Sequence, residues 1–218
     1  MVEVAAEAPR DCPLCPRLVS FRATNRGSEP SWHNGAVSSF GQENAPHARL
    51  LIVGLAPGLK GANRTGRPFT GDFAGDLLYE TLLAYGFARG RYAAKPDDGL
   101  SLVDCLITNA VRCVPPENKP TPAEIATCRP FLAQRMAAMP RLAAVVALGR
   151  IAHDSTLAAL GARKAGFPFT HGARHAVRAG ITLFDSFHCS RYNTNTGKLT
   201  PGMFRAVFGA VREHLREA

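Results

Sequence analysis

The stretch Leu50-Leu-Ile-Val-Gly-Leu-Ala-Pro-Gly-Leu-Lys-Gly-Ala-Asn-Arg-Thr-Gly-Arg-Pro-Phe-Thr-Gly-Asp72 decides how the chain is read. Its first four residues are apolar without a break, as a strand buried on both faces requires. A helical pattern begins near Phe73, so residues 54–72 form a long loop leaving the carboxyl end of a strand, where open α/β sheets place their ligands. Five glycines and two prolines fall within it, a composition that brings bare backbone close to a bound molecule. Asn63, Arg64, Arg67, Phe69 and Asp72 add an amide, two cations, a ring and a carboxylate. The loop matches neither the Walker A pattern nor the Gly-x-Gly-x-x-Gly dinucleotide fingerprint.

Outward from this loop, helices alternate with strands. Residues 73–87 carry Leu77, Leu78, Leu82 and Tyr85 at helical spacing, and Gly86 suits the end of that helix. The segment 89–99 reads as a basic, then polar, loop. Strands are expected at 102–111, 143–148 and 181–187, with a short helix over 149–160 and an amphipathic one opened by Thr200-Pro201. That last helix places Arg205, Arg212 and Arg216 on its wetter side. Thr121, Pro122 and Glu124 make a capping box that starts another helix. Residues 21–49 are irregular, with Trp32 as a local packing anchor. The pattern predicts a single domain over 1–218 in the α/β class, built on a four-stranded, mostly parallel sheet covered on both faces. Three polar loops, after the first, second and fourth strands, then share one edge of that sheet.

The chain has 218 residues, a net charge of +9 and an apolar content of 46%. Arg heavily outnumbers Lys, which favours forked recognition of phosphate and makes nucleic acid the leading partner. No apolar run is long enough to span a bilayer, and Met1-Val-Glu-Val-Ala-Ala-Glu lacks the basic start of a signal peptide. A cytoplasmic protein without membrane contact is expected, and nothing in the sequence suggests more than a monomer.

Six cysteines in such a protein point to metal or redox work. Cys12-Pro-Leu-Cys15 lies about 35 residues ahead of the first strand, outside the context of a thioredoxin-type motif. Cys113 and Cys128 flank a proline turn and a helix start that bring them to one point. These four fit either zinc or a [4Fe–4S] cluster, and one short pair joined to two single cysteines tilts towards iron. Cys105 and Cys189 read as buried thiols.

Three motifs together make the reading specific. Gly54-Leu-Ala-Pro-Gly58 followed by Gly66-Arg-Pro-Phe-Thr-Gly-Asp72, then Thr108-Asn-Ala-Val-Arg-Cys113-Val-Pro-Pro-Glu-Asn-Lys-Pro-Thr-Pro122, then His188-x-Ser-Arg191 resemble the iron–sulfur uracil-DNA glycosylases, most closely family 5. The resemblance covers nearly the whole chain. It implies a three-layer αβα sandwich with a structural [4Fe–4S] cluster on Cys12, Cys15, Cys113 and Cys128, the first two on a segment of about residues 11–20. The implied activity is removal of uracil from single- or double-stranded DNA by hydrolysis of its N-glycosidic bond, leaving an abasic site and an uncut strand.

By the same resemblance Phe69 stacks on the extruded base, and Asn109 reads it as the pyrimidine-reading Asn of family 4 does. Gly54, Leu55, Ala56 and Gly58 bring backbone to the base. His188 is suited to donate to uracil O2 and Asp72 to face the sugar cation or position water, with Asn63 and Asn118 as further water-holding candidates. Ser190, Arg191, Lys198 and a loop over 167–175 carrying His171 and Arg174 are candidate DNA contacts. Family 1 carries Asp and family 4 Glu in the first motif where this chain has Leu55 and Ala56. That departure leaves open a second reading, a non-catalytic or weakly catalytic binder of uracil-containing or abasic DNA.

Overall fold

The computed structural model describes residues 5–217. In chain order the elements are α1 (Pro16–Ser28), β1 (Leu50–Gly54), α2 (Ala62–Thr65), α3 (Phe73–Ala84), β2 (Ala88–Arg89), β3 (Ser101–Leu102) and β4 (Cys105–Asn109). They continue with α4 (Pro122–Ala137), β5 (Ala144–Leu148), α5 (Arg150–Ala159), β6 (Arg174–Arg178), β7 (Ile181–Ser186), α6 (Arg191–Asn195) and α7 (Pro201–Glu217). The main sheet runs β4-β1-β5-β7-β6. Its first four strands are parallel, as the sequence pattern predicts, and β6 adds an antiparallel fifth at the edge.

Successive residues of each central strand point to opposite faces, so an unbroken apolar run feeds two cores. Leu50, Ile52, Ile107, Val146 and Phe184 meet α3 and α7 on one face. Leu51, Val53, Leu106, Val145 and Leu183 meet α4 and α5 on the other. This is the three-layer αβα arrangement. Helix α7 contributes Phe204, Val207, Phe208, Val211 and Leu215 at helical spacing, all buried. Phe208→Ala is expected to remove about 3–5 kcal/mol of stability, read as a lower urea midpoint with an unchanged slope.

Three local expectations are corrected. Helix α1 occupies part of the stretch read as irregular. Its buried residues are Leu18, Arg22 and Asn25, so its inward face is largely polar and shows no apolar stripe. The 102–111 strand is shorter: Asp104, at φ 56°, breaks the chain, and Ser101–Leu102 pairs instead with Ala88–Arg89. Arg174 and His175 belong to β6 rather than to a loop. The capping box at Thr121 is present in full: its side chain accepts from the Glu124 amide at 3.2 Å, while Glu124 accepts from the Thr121 amide at 2.8 Å. No helix among the described residues is long and apolar enough to cross a membrane.

Candidate active site

The loops leaving β1, β4 and β7 converge at the carboxyl edge of the sheet around a cleft of about 710 Å³. Leu55, Ala56, Gly58, Phe69 and Asp72 line it from the first loop, Asn109 and Asn118 from the second, and His188, Ser190 and Arg191 from the third. Four of these bring an aromatic ring, an amide, a carboxylate and an imidazole into the cleft.

Phe69 faces His188, with ring centroids 5.8 Å apart and planes inclined by 27°. Its backbone is left-handed, at φ 53°, a conformation that costs a bulky residue free energy and survives only where its surroundings enforce it. Asn109 is the last residue of β4, paired in register with Gly54. A side chain on Gly54 would collide with both the Asn109 amide and the Phe69 ring, so glycine there lets the two approach each other. The Asn109 side chain makes no hydrogen bond within the described residues and lines the cleft.

Asp72 lies at the amino end of α3. Its carboxylate rests against Gly58 and Gly61, where any Cβ would displace it. One oxygen, Oδ1, is buried with no hydrogen-bond partner among the described residues. Burial holds the carboxyl above its ordinary range, opposed more weakly by the Gly75 and Ala74 amides. His188 has the opposite shift: burial lowers it to about 4, so it is a neutral imidazole over the physiological range. The cleft therefore holds a carboxylate that ionises reluctantly and a histidine that stays uncharged. Lys60, Arg64 and Arg191 supply cationic lining, with the Arg191 guanidinium over the Phe73 ring at 5.3 Å.

Several candidates lie elsewhere. Asn63 is fully buried, and its amide donates to Asn34 Oδ1 at 2.9 Å; it does not line the cleft. His171 packs on Phe187 and accepts that residue's amide N–H at 3.1 Å. Arg174 lies over the Phe184 ring near His214, and Lys198 over the Phe187 ring. Arg212 donates to the Tyr85 carbonyl and covers Phe87 instead of facing solvent. Lys60, Ala62, Gly71, Phe73 and Ala74 also line the cleft and were passed over by sequence reading, although Lys60 belongs to the same glycine-rich loop.

A second centre forms beside the cleft. Cys12, Cys15, Cys113 and Cys128 line one small apolar cavity with Leu18, Val111 and Phe131, and none is in a disulfide. The Arg112 amide donates to Cys128 Sγ at 3.3 Å, and the Arg22 guanidinium approaches Cys113 Sγ at 3.8 Å. Such donors suit sulfur atoms that carry negative charge. Burial pushes the Cys113 thiol up to about 12 and Cys128 to about 11, so a cationic group is what brings them to thiolate. Among the described residues, the groups compact enough for one ion, with all donor atoms within 4.8 Å, do not include these sulfurs. A zinc tetrahedron with bonds of about 2.3 Å would need them closer. Cys105 and Cys189 are buried apart from this cavity, their sulfurs near the Phe87 and Ala74 carbonyls.

A three-layer sheet with polar loops gathered at one edge and four cysteines beside it defines a narrow class, and comparison with known proteins agrees. A family model described as the Uracil DNA glycosylase superfamily matches residues 40–212. A Type-5 uracil-DNA glycosylase of Thermus thermophilus is 45% identical over 202 residues, covering 90% of each chain. A Type-5 enzyme of Pyrobaculum aerophilum is 41% identical over 194 residues, 87% of this chain and 83% of its own. A Type-4 uracil-DNA glycosylase of the same organism is 37% identical over 116 residues, 52% of this chain and 50% of its own. The chain belongs to the uracil-DNA glycosylase superfamily and, within it, to the type-5 family.

Proposed function

We propose that this protein excises uracil from DNA by hydrolysing the N-glycosidic bond, leaving an abasic site in an uncut strand. The observation that carries this reading is the meeting of Phe69, Asn109, Asp72 and His188 in one cleft lined by a single chain, which also suits a monomer. A base inside a duplex is out of reach of such a cleft, so the target nucleotide is turned out of the stack first. The lining cations Lys60, Arg64 and Arg191 suit the phosphates on either side of it.

In the pocket, Phe69 offers its face to the base. The Asn109 amide can donate to O4 and accept from N3–H of uracil, a pattern that cytosine, with an amino group at C4 and no proton on N3, reverses. As the bond to the sugar breaks, negative charge grows on the base and positive charge on the sugar. A neutral His188 donates a hydrogen bond to O2 without first surrendering a full charge to the site. Asp72, ionised, faces the sugar cation and takes a proton from the attacking water. Asn118, on the cleft wall at φ 57°, is a second group able to hold that water.

The four cysteines are proposed to hold a structural [4Fe–4S] cluster, whose chemistry there is to tie the N-terminal segment to the β4–α4 turn. The binding-only alternative draws no support from the relatives, and Asp72 supplies a carboxylate that the first motif lacks. The decisive experiment is an end-labelled oligonucleotide with one uracil, in single-strand and duplex form. Strand breakage only after alkali is the expected result. No base release with enzyme in large excess would overturn the proposal.

A further inference from the structure

The loop over residues 90–99 contributes nothing to the lining of the cleft, yet it closes over Arg67, two residues from Phe69. The Arg67 guanidinium donates to both oxygens of Asp98, each at 2.8 Å, to the Pro96 carbonyl at 3.2 Å and, through Nε, to Thr70 Oγ1 at 2.7 Å. Its flat faces meet the rings of Phe40, Tyr79 and Tyr92 at 5.0, 5.4 and 5.9 Å. Arg67 is 6% exposed and Asp98 1%, so each depends on the other: removing either leaves a buried charge without its counter-ion.

The same cluster grips the backbone on both sides of Phe69. Tyr79 donates its hydroxyl to the Pro68 carbonyl at 2.6 Å, and Tyr92 donates to the Phe69 carbonyl at 3.4 Å. Thr65 donates to the Thr70 carbonyl at 3.0 Å. A Cβ on Gly75 would collide with the Phe69 carbonyl and the Tyr92 hydroxyl, so helix α3 can press on this point only because glycine is there. A left-handed phenylalanine whose neighbouring carbonyls are all held is a ring fixed in plane and position.

We propose that Arg67, locked by Asp98, Tyr79 and Tyr92, is a positioning residue that holds Phe69 as the surface on which the excised base stacks. The inference rests on the excision reading above. Without the clamp the backbone relaxes from φ 53° towards ordinary values and the ring leaves the plane that the base needs, while the cationic lining that meets the phosphates is untouched.

The test uses the full-length protein with Tyr79→Phe and, separately, Asp98→Asn. Four quantities are read: the single-turnover rate of uracil release, inhibition by free uracil, affinity for an abasic-site oligonucleotide, and Tm. Release and free-uracil inhibition are expected to weaken together by about 10–100-fold, as misplacement of a contact by about 1 Å does, with abasic-site affinity little changed. Tyr79→Phe removes one hydroxyl and keeps the ring, so it decides the matter if Asp98→Asn does not fold. Unchanged release and unchanged uracil inhibition in folded Tyr79→Phe would overturn the proposal. So would a fall of all three activities in step with the folded fraction, which is what a purely structural role predicts. Absence of release by the unmodified protein would instead overturn the excision reading, and the stacking role with it.

Discussion

Asp72→Asn is expected to lower single-turnover uracil release by about 10²–10⁴-fold, the range for loss of a positioned general base, and at the same time to raise Tm at neutral pH. Both effects come from one environment. The carboxylate is sunk against Gly58 and Gly61 with an unpartnered oxygen, and burial lifts its proton affinity. A carboxyl whose folded pKa stands above its unfolded value binds its proton more tightly in the native state. Its contribution to stability is therefore fully present below the ordinary carboxylate range and is lost as pH rises through the raised folded value. At neutral pH the ionised group is a burden on the fold, and a neutral amide of the same shape relieves it. The acid limb of the activity profile should follow the same group, with release failing at higher pH than an ordinary aspartate would dictate. His188, lowered to about 4, should add no titration above that. Wild-type rates in Asp72→Asn, or a variant less stable than its parent at pH 7, would refute this account.

Cys113→Ser is expected to abolish absorbance near 400 nm and to cost more than about 4 kcal/mol of stability, the scale at which loss of a metal group falls among single substitutions. For a domain of this length that corresponds to a fall in Tm of roughly 10 °C or more. The reason is the third core cluster, in which Cys12, Cys113 and Cys128 pack with Ala8, Leu18, Ala36, Val111 and Phe131. This cluster joins the N-terminal segment to the rest of the chain; the buried Arg22 guanidinium approaches Cys113 Sγ and the Arg112 backbone amide donates to Cys128 Sγ. A serine hydroxyl is a poor ligand for iron and takes from the Arg22 guanidinium the sulfur it approaches. Cys105→Ser provides the contrast: that thiol is buried at the start of β4 near the Phe87 carbonyl, so the absorbance should survive. Retention of the 400 nm band in Cys113→Ser would remove Cys113 from the ligand set.

The sheet and the cleft were legible in the chain because each followed from a local rule. A short unbroken apolar run such as Leu50–Val53, bounded by a glycine-rich loop, reads as a strand buried on both faces, and parallel strands align their carboxyl ends whatever lies between them. Asn109 ends a strand, and Phe69, Asp72 and His188 lie in loops that follow one, so the parallel topology brings to one edge the residues that the family resemblance singled out. What escaped was decided by tertiary partners. Helix α1 buries Arg22 and Asn25, the former with its guanidinium on the Cys12 carbonyl and near Cys113 Sγ, and no periodicity reveals that. Asn63 has the right chemistry for the cleft, but Asn34 claims its amide from a distant segment. The role of Asp98 was equally hidden, since an acidic residue in a polar loop ordinarily faces water, and only the folded chain carries it to Arg67.

The four cysteines at the apolar cavity also impose an order on biosynthesis. Cys12 and Cys15 leave the ribosome well ahead of Cys128, which follows about 110 residues later. At about 5–20 residues per second the first pair spends several seconds to some tens of seconds as a free dithiol before its partners exist. The N-terminal segment therefore docks onto a β4–α4 turn already made, and any group it encloses is acquired only after Cys128 has emerged.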